Sequence, residues 1–167
     1  MILRYTKARP WVVSPTRANP SDAGLDVYYS PEPAFNFVTD ESREPDCGGD
    51  THHMLQPGQS KIFPTGLKFE VPHGYMLEVK NRSGNAAKRN LVVGACVIDS
   101  GYSGEVFIDL HNIGTEEQEI HAGMKIAQLV LLPVVHFQPV ESTEEELYKY
   151  PVTISNRGAN ALGSTDG

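Results

Sequence analysis

The sequence predicts an all-β protein, a distorted jelly roll or β-barrel, and three observations predict it. Short alternating or β-branched segments recur along the chain. Turn signals stand between them, supplied by fifteen glycines and twelve prolines. Few windows carry the 3.6-residue apolar period of a helix of ordinary length. A chain of 167 residues suits one domain with its own core.

The first strand expected is 25–29, entered from the turn signal NPSDAG. Next come 61–63 after QPGQ, 67–71 after PTG, and 75–79 after VPHG. Residues 85–89 are the one short helix of this reading, because Ala86, Ala87 and Lys88 are good helix formers. A strand is expected over 92–98. VVGACVIDSGYSGEV (92–106) then reads as a β-hairpin: a strand ending at Asp99, a tight turn through Gly101, and a returning strand. In 106–111, Val106, Ile108 and Leu110 alternate with Phe107, Asp109 and His111, a period of two. The apolar run 125–135 closes the set after HAG. A weaker helical window, 143–148, has Thr143 ahead of three glutamates.

Two segments break this rhythm. Residues 32–56 are polar, aperiodic and long for a connection, so they read as a surface insertion in a β domain of residues 1–150. Residues 151–167 are small and glycine-rich with no apolar set to bury, and read as a flexible C-terminal arm.

Composition narrows the function. The net charge of −7 argues against a non-specific grip on nucleic acid. The longest apolar stretch, 126–135, is broken by Gln128 and Pro133 and is too short to span a bilayer, so no membrane partner is expected. The N-terminus lacks the unbroken apolar core of a secretory signal. Two cysteines, Cys47 and Cys96, are too few for a disulfide scaffold. The expected location is the cytoplasm or another intracellular space, the host's if the protein is viral.

Several segments could carry chemistry. NRSGNAAK (81–88) joins a strand to the short helix. Its Arg82 offers a planar fork of donors, Ser83 a hydroxyl, and Gly84 close access to backbone amides. Together with the helix start they suit a phosphate. In the tail, Arg157, Gly158, Gly163, Ser164 and Thr165 are equally rich in donors. Asp99 at a turn is most often a turn former. Its functional reading is a carboxylate on a rigid element that takes a proton from water, with the flat ring of Tyr102 nearby. Gln128 is a lone polar group in an apolar run and needs a partner.

DAGLDVY, NRSGNAAK, GACVIDSGYSGEV, GMKIAQLVLLP and NRGANALGSTDG occur in the order of the five motifs of the trimeric dUTPase family. The resemblance spans nearly the whole chain except the insertion. It implies a β-rich jelly roll and a homotrimer with shared active sites, closed by the C-terminal arm. It also implies hydrolysis of dUTP to dUMP and pyrophosphate, with Mg²⁺ bound mainly through substrate phosphates and water. By matching motif, Asp99 resembles the carboxylate that deprotonates the attacking water, and Tyr102 the ring under the deoxyribose. The backbone of Ala95, Cys96, Val97 and Ile98 would read the uracil edge. Arg82, Ser83, Gly84 and Gln128 match the phosphate set, and Arg157, Gly163, Ser164 and Thr165 the arm over the γ-phosphate. Asp26 matches the aspartate that supports the phosphate and metal side.

Some positions depart from that pattern. Asn81 stands where proline is usual, an exchange expected to loosen the turn, and Cys96 replaces a common glycine. Leu162 occupies the place of the aromatic that covers the base, and Ala161 replaces a neighbouring glycine. Loss of the ring is expected to weaken stacking by about 1 kcal/mol. Leu162→Phe should therefore lower KM for dUTP in a steady-state assay. A related activity, dCTP deamination, is the nearest alternative, because Asp109 stands where deaminases place a catalytic glutamate. It has a shorter side chain, and Ala87 takes the place of the expected arginine. A regulatory protein on the same scaffold, with the insertion binding an unknown partner, is the second alternative.

Overall fold

Residues 1–32, 52–147 and 149–150 are described by the structure, a computed structural model. Their strands are β1 (Arg4–Lys7), β2 (Leu25–Tyr28), β3 (His52–Leu55), β4 (Ser60–Pro64), β5 (Leu67–Glu70) and β6 (Tyr75–Lys80). Then follow helix α1 (Ser83–Arg89), β7 (Leu91–Val93), β8 (Val97–Asp99), β9 (Phe107–Asn112), β10 (Gln118–His121), β11 (Lys125–Pro133) and helix α2 (Glu144–Leu147). The chain divides into two units, Met1–Val135 with every described strand and His136–Gly167 with α2.

The predicted β character holds. Among the described residues all strand pairings are antiparallel and fall into four sheets: β1 with β5, β3 with β10, β2-β11-β6-β8, and β4-β9-β7. No sheet closes into a barrel among the described residues. Alternation decides which side of each strand faces the core. Along β9, Ile108 and Leu110 are fully buried while Phe107, Asp109 and His111 face outward. Along β11, Ile126, Ala127 and Leu129 join them. Phe63 of β4, fully buried, meets Tyr29 edge to face at 5.0 Å.

Three expectations need correction. The strand expected over 92–98 is two strands in different sheets, β7 on β9 and β8 on β6. The break lies at Gly94, whose amide donates to the Asp109 carbonyl at 2.9 Å. A Cβ there would fall 2.4 Å from both Asp109 Oδ2 and His111 Nε2, so a larger residue would have to displace those side chains. The expected 92–106 hairpin is likewise absent. β8 pairs with β6, and the returning strand β9 pairs with β4 and β7, so the turn after Asp99 passes between sheets. Finally, the segment read as an insertion ends in β3, where Leu55 is buried at 1% exposure, so its last residues belong to the core.

Elements that periodicity did not mark are β1 and β10, each four residues long. The weaker helical window over 143–148 holds helix α2. Helix α1 begins two residues earlier than expected. Its one buried residue is Asn85, which donates to the Lys125 carbonyl at 3.0 Å. A helix held by an amide rather than an apolar face gives a weak periodic signal. Asn90 ends it in the left-handed conformation, which asparagine tolerates.

Candidate active site

Strand β8 is the edge of its sheet, so one side of its backbone bonds β6 and the other keeps its N–H and C=O groups unpaired by any described strand. Val97, Ile98 and Asp99 lie in β8, with Met76 of β6 opposite Asp99, while Ala95 and Cys96 form the exposed link from β7. The Cys96 carbonyl accepts the Val79 amide at 2.8 Å, which ties that link to β6. After Asp99 the chain turns, and the Tyr102 amide donates to the Asp99 carbonyl at 3.2 Å. Ser100 Oγ donates to the Val71 carbonyl at 3.1 Å, which secures the turn from behind.

This turn forms one wall of a groove of about 220 Å³, lined by Val97, Ile98, Asp99, Tyr102 and Phe107 among others. Asp99 is exposed, and its carboxylate makes no hydrogen bond or ion pair among the described residues. The Tyr102 ring is 46% exposed, with its hydroxyl bonded to the Glu105 carbonyl at 2.8 Å. The groove thus offers an apolar wall, an aromatic face, an edge of unpaired backbone and one unpartnered carboxylate.

A second cluster forms where β2 and β11 meet the start of α1. Asp26 of β2 accepts Arg82 Nε at 2.9 Å on one oxygen and Lys125 Nζ at 2.8 Å on the other. Its side chain is 14% exposed, so each contact is partly shielded from water. Asp26 holds the Lys125 ammonium above its ordinary range by this hydrogen bond, against an opposing effect of burial. Because Asp26 takes only Nε, the two Nη groups of Arg82 bond nothing among the described residues. Ser83 and Gly84 follow in the first turn of α1, both exposed.

Gln128 completes this cluster. It lies opposite Asp26 on one neighbour and Lys80 on the other. Its amide donates to the Asn81 carbonyl at 2.8 Å, which is the partner its apolar strand required. The Asn81 side chain accepts the Val93 amide at 2.7 Å. Asn81 therefore ties the turn to β7 with a bond that proline could not make, contrary to the loosening expected from the exchange. Gly24 packs directly on Gln128, since a Cβ there would fall 1.8 Å from Oε1. Gly24→Ala should displace the carboxamide at little cost in stability. The expected result is a several-fold rise in KM with a thermal midpoint close to the parent's, measured by steady-state kinetics and calorimetry.

The fold keeps the two clusters apart within one chain. Both flank β6, on opposite sides, with Asp99 opposite Met76 and Gln128 opposite Lys80. Four residues along the strands and two strand spacings across them place the two Cα atoms about 16 Å apart. Asp109, the residue of the deaminase alternative, is outside the groove lining. It lies on the outward face of β9, where its Oδ2 meets His111 Nε2 at 3.0 Å.

Sequence reasoning missed Lys125. Lys125 sits three residues before Gln128 in GMKIAQ. It reaches Asp26 because the β11–β2 register shifts between Lys125 and Ala127, which no local pattern announces. Arg157, Leu162, Gly163, Ser164 and Thr165 lie outside the described residues, as do Cys47 and most of 32–56.

Comparison with known proteins places the chain in a family. A family model described as dUTPase matches residues 50–156. A deoxyuridine 5′-triphosphate nucleotidohydrolase of Chlamydia trachomatis is 38% identical over 113 residues, 66% of this chain and 74% of that protein. One from Clostridium novyi is 32% identical over 167 residues, covering 99% of each. Among solved structures, the Staphylococcus bacteriophage 80alpha dUTPase G164S mutant with dUpNHpp has a TM-score of 0.71 at 21% identity, over 98% of both chains.

Proposed function

This chain belongs to the dUTPase family, and from that premise we propose how its own residues carry out the reaction. The protein is a dUTP diphosphatase: it hydrolyses dUTP to dUMP and pyrophosphate. In the proposed mechanism Asp99 orients a water molecule and accepts its proton as the oxygen attacks the α-phosphorus. The new bond is from that oxygen to the α-phosphorus. The bond that breaks joins the α-phosphorus to the oxygen bridging it to the β-phosphate, and pyrophosphate leaves. The observation that carries this reading is the unpartnered Asp99 carboxylate, held at the end of a bonded edge strand inside an apolar groove.

The other roles follow from chemistry. The backbone of residues 95–98, the exposed link and the outer side of β8, can hydrogen-bond a uracil, and the Tyr102 ring can pack beneath a sugar that lacks a 2′-hydroxyl. Arg82, aimed by Asp26, meets the phosphates with Ser83, Gly84 and Gln128. Arg157, Gly163, Ser164 and Thr165 of the arm, with Leu162 near the base, close over the γ-phosphate. Such a reaction belongs inside the cell, where nucleoside triphosphates are found. No described helix is long and apolar enough to cross a membrane.

Mg²⁺ is part of the same proposal. Among the described residues no three His, Cys, Asp or Glu side chains converge, and Asp26 already serves two cations. That donor set fits an ion carried on the triphosphate and its waters, with no side chain assigned as ligand. When bound, the ion neutralises charge on the phosphates.

The distance between the two clusters favours a homotrimer in which Asp99 of one subunit serves the phosphate set of another. Mixing two inactive variants tests this. Asp99→Asn and Arg82→Ala proteins, co-refolded in equal amounts, should regain activity at about a quarter of sites by random assortment. A mixture as inactive as its components would place the whole site in one chain and overturn the shared arrangement.

A further inference from the structure

Behind the Tyr102 wall lies an ion pair that joins residues 96 positions apart. Arg9 donates from Nη1 to Glu105 Oε2 at 2.8 Å and from Nη2 to Oε1 at 2.9 Å. The two side chains are only 14% and 13% exposed. Glu105 Oε1 also accepts the Gly66 amide at 2.7 Å. The guanidinium in turn donates to the Ser30 carbonyl at 3.0 Å and lies 3.2 Å from Glu32. This is a doubly bonded, largely desolvated pair, unlike a surface contact that salt would screen.

We propose that Arg9 and Glu105 are positioning residues for sugar discrimination: their pair fixes the residue that holds the Tyr102 ring against the groove. The proposal rests on the reading of Tyr102 as the deoxyribose platform. The Tyr102 hydroxyl donates to the Glu105 carbonyl, and that is its one side-chain hydrogen bond among the described residues. An exposed ring with a single polar tether stands as firmly as the residue at the far end of the tether. Glu105 is held from two directions. Its carboxylate is gripped by Arg9 and Gly66, and the next residue, Val106, donates its amide to the Leu67 carbonyl at 2.8 Å. Thr65 Oγ1 donates to the Val106 carbonyl at 2.6 Å.

Geometry and ionisation agree. Burial alone would raise the Glu105 carboxyl, but the Arg9 hydrogen bonds, the Gly66 amide and the nearby charges of Arg9 and Lys68 outweigh it. The carboxyl therefore lies below its ordinary range and is ionised at neutral pH. Rejection of a 2′-hydroxyl by packing requires a wall that does not retreat, because a ring free to shift would make room for one oxygen.

The test uses the full chain. For the parent, Arg9→Met, Arg9→Lys, Glu105→Gln, Tyr102→Phe and Tyr102→Ala, kcat/KM is measured for dUTP and for UTP. Amide hydrogen exchange is followed for peptides covering 99–107. Arg9→Met and Glu105→Gln should lower the dUTP-to-UTP ratio by roughly 5–20-fold, and Tyr102→Phe, which cuts only the tether, should do the same. Arg9→Lys should retain part of the ratio. Exchange in 99–107 should rise in the Arg9 and Glu105 variants while β11 stays as in the parent. Should Arg9→Met not fold, Arg9→Lys and Glu105→Gln carry the comparison, since each removes part of the paired geometry. If Tyr102→Ala collapses the ratio while the Arg9 and Glu105 variants keep it, the proposal is overturned and the pair serves stability alone. If Tyr102→Ala also keeps the ratio, the platform reading of Tyr102 fails and the proposal falls with it.

Discussion

Asp99→Asn should lower kcat for dUTP by roughly 10²–10⁴-fold, the range that a positioned general base contributes, with KM changed far less. The amide has nearly the same shape but cannot accept the proton of water. The stability cost should be small, within about 0.5 kcal/mol, because the lost carboxylate is exposed and makes no described contact. Initial rates of pyrophosphate release and a thermal unfolding curve check both halves. A variant that folds and turns over at the parental rate would remove Asp99 from the mechanism.

Arg82→Ala should reduce kcat/KM for dUTP by about 100-fold, from the loss of charge-assisted bonds to phosphate. The fold should survive, because Asp26 keeps Lys125 at 2.8 Å and is not left as an uncompensated, half-buried charge. Arg82→Lys should recover only part of the loss, since an ammonium keeps the charge but cannot bond Asp26 and a phosphate as a planar fork does. Asp26→Asn should have a smaller effect, about tenfold. It leaves the guanidinium present while weakening the bond that aims it. If Asp26→Asn proved more damaging than Arg82→Ala, the carboxylate would have a role beyond supporting the arginine.

Much of the fold was legible because burial leaves a periodic trace. Residues 106–111 alternate with a period of two, and the structure buries the half that alternation selects. β1 and β10 left no such trace, because strands of four residues offer too few positions to establish a period. β1 is exposed throughout, and β10 buries only Ile120. The hairpin reading of 92–106 failed for a different reason. A turn with Gly101 looks the same whether it reverses a strand onto itself or carries it to another sheet. The partner of β8 is β6, some twenty residues earlier, and only non-local packing selects it.

The candidate site divides in the same way. The order of five motifs marked Asp99, Tyr102, Arg82, Gln128 and Asp26 before any coordinate. The resemblance of those motifs to the family supplied the expected role of each, proton acceptor, sugar platform or phosphate contact, and the side-chain chemistry is compatible with each role. The tertiary structure decided which of them meet. A shifted register brings Lys125 to Asp26, an edge position leaves β8 with unpaired backbone, and Arg9 reaches Glu105 across 96 positions. The physical reason is that functional groups are set by residue type, which is local. Contact is set by sheet pairing and burial, which depend on segments far apart along the chain and emerge only when the whole core is assembled.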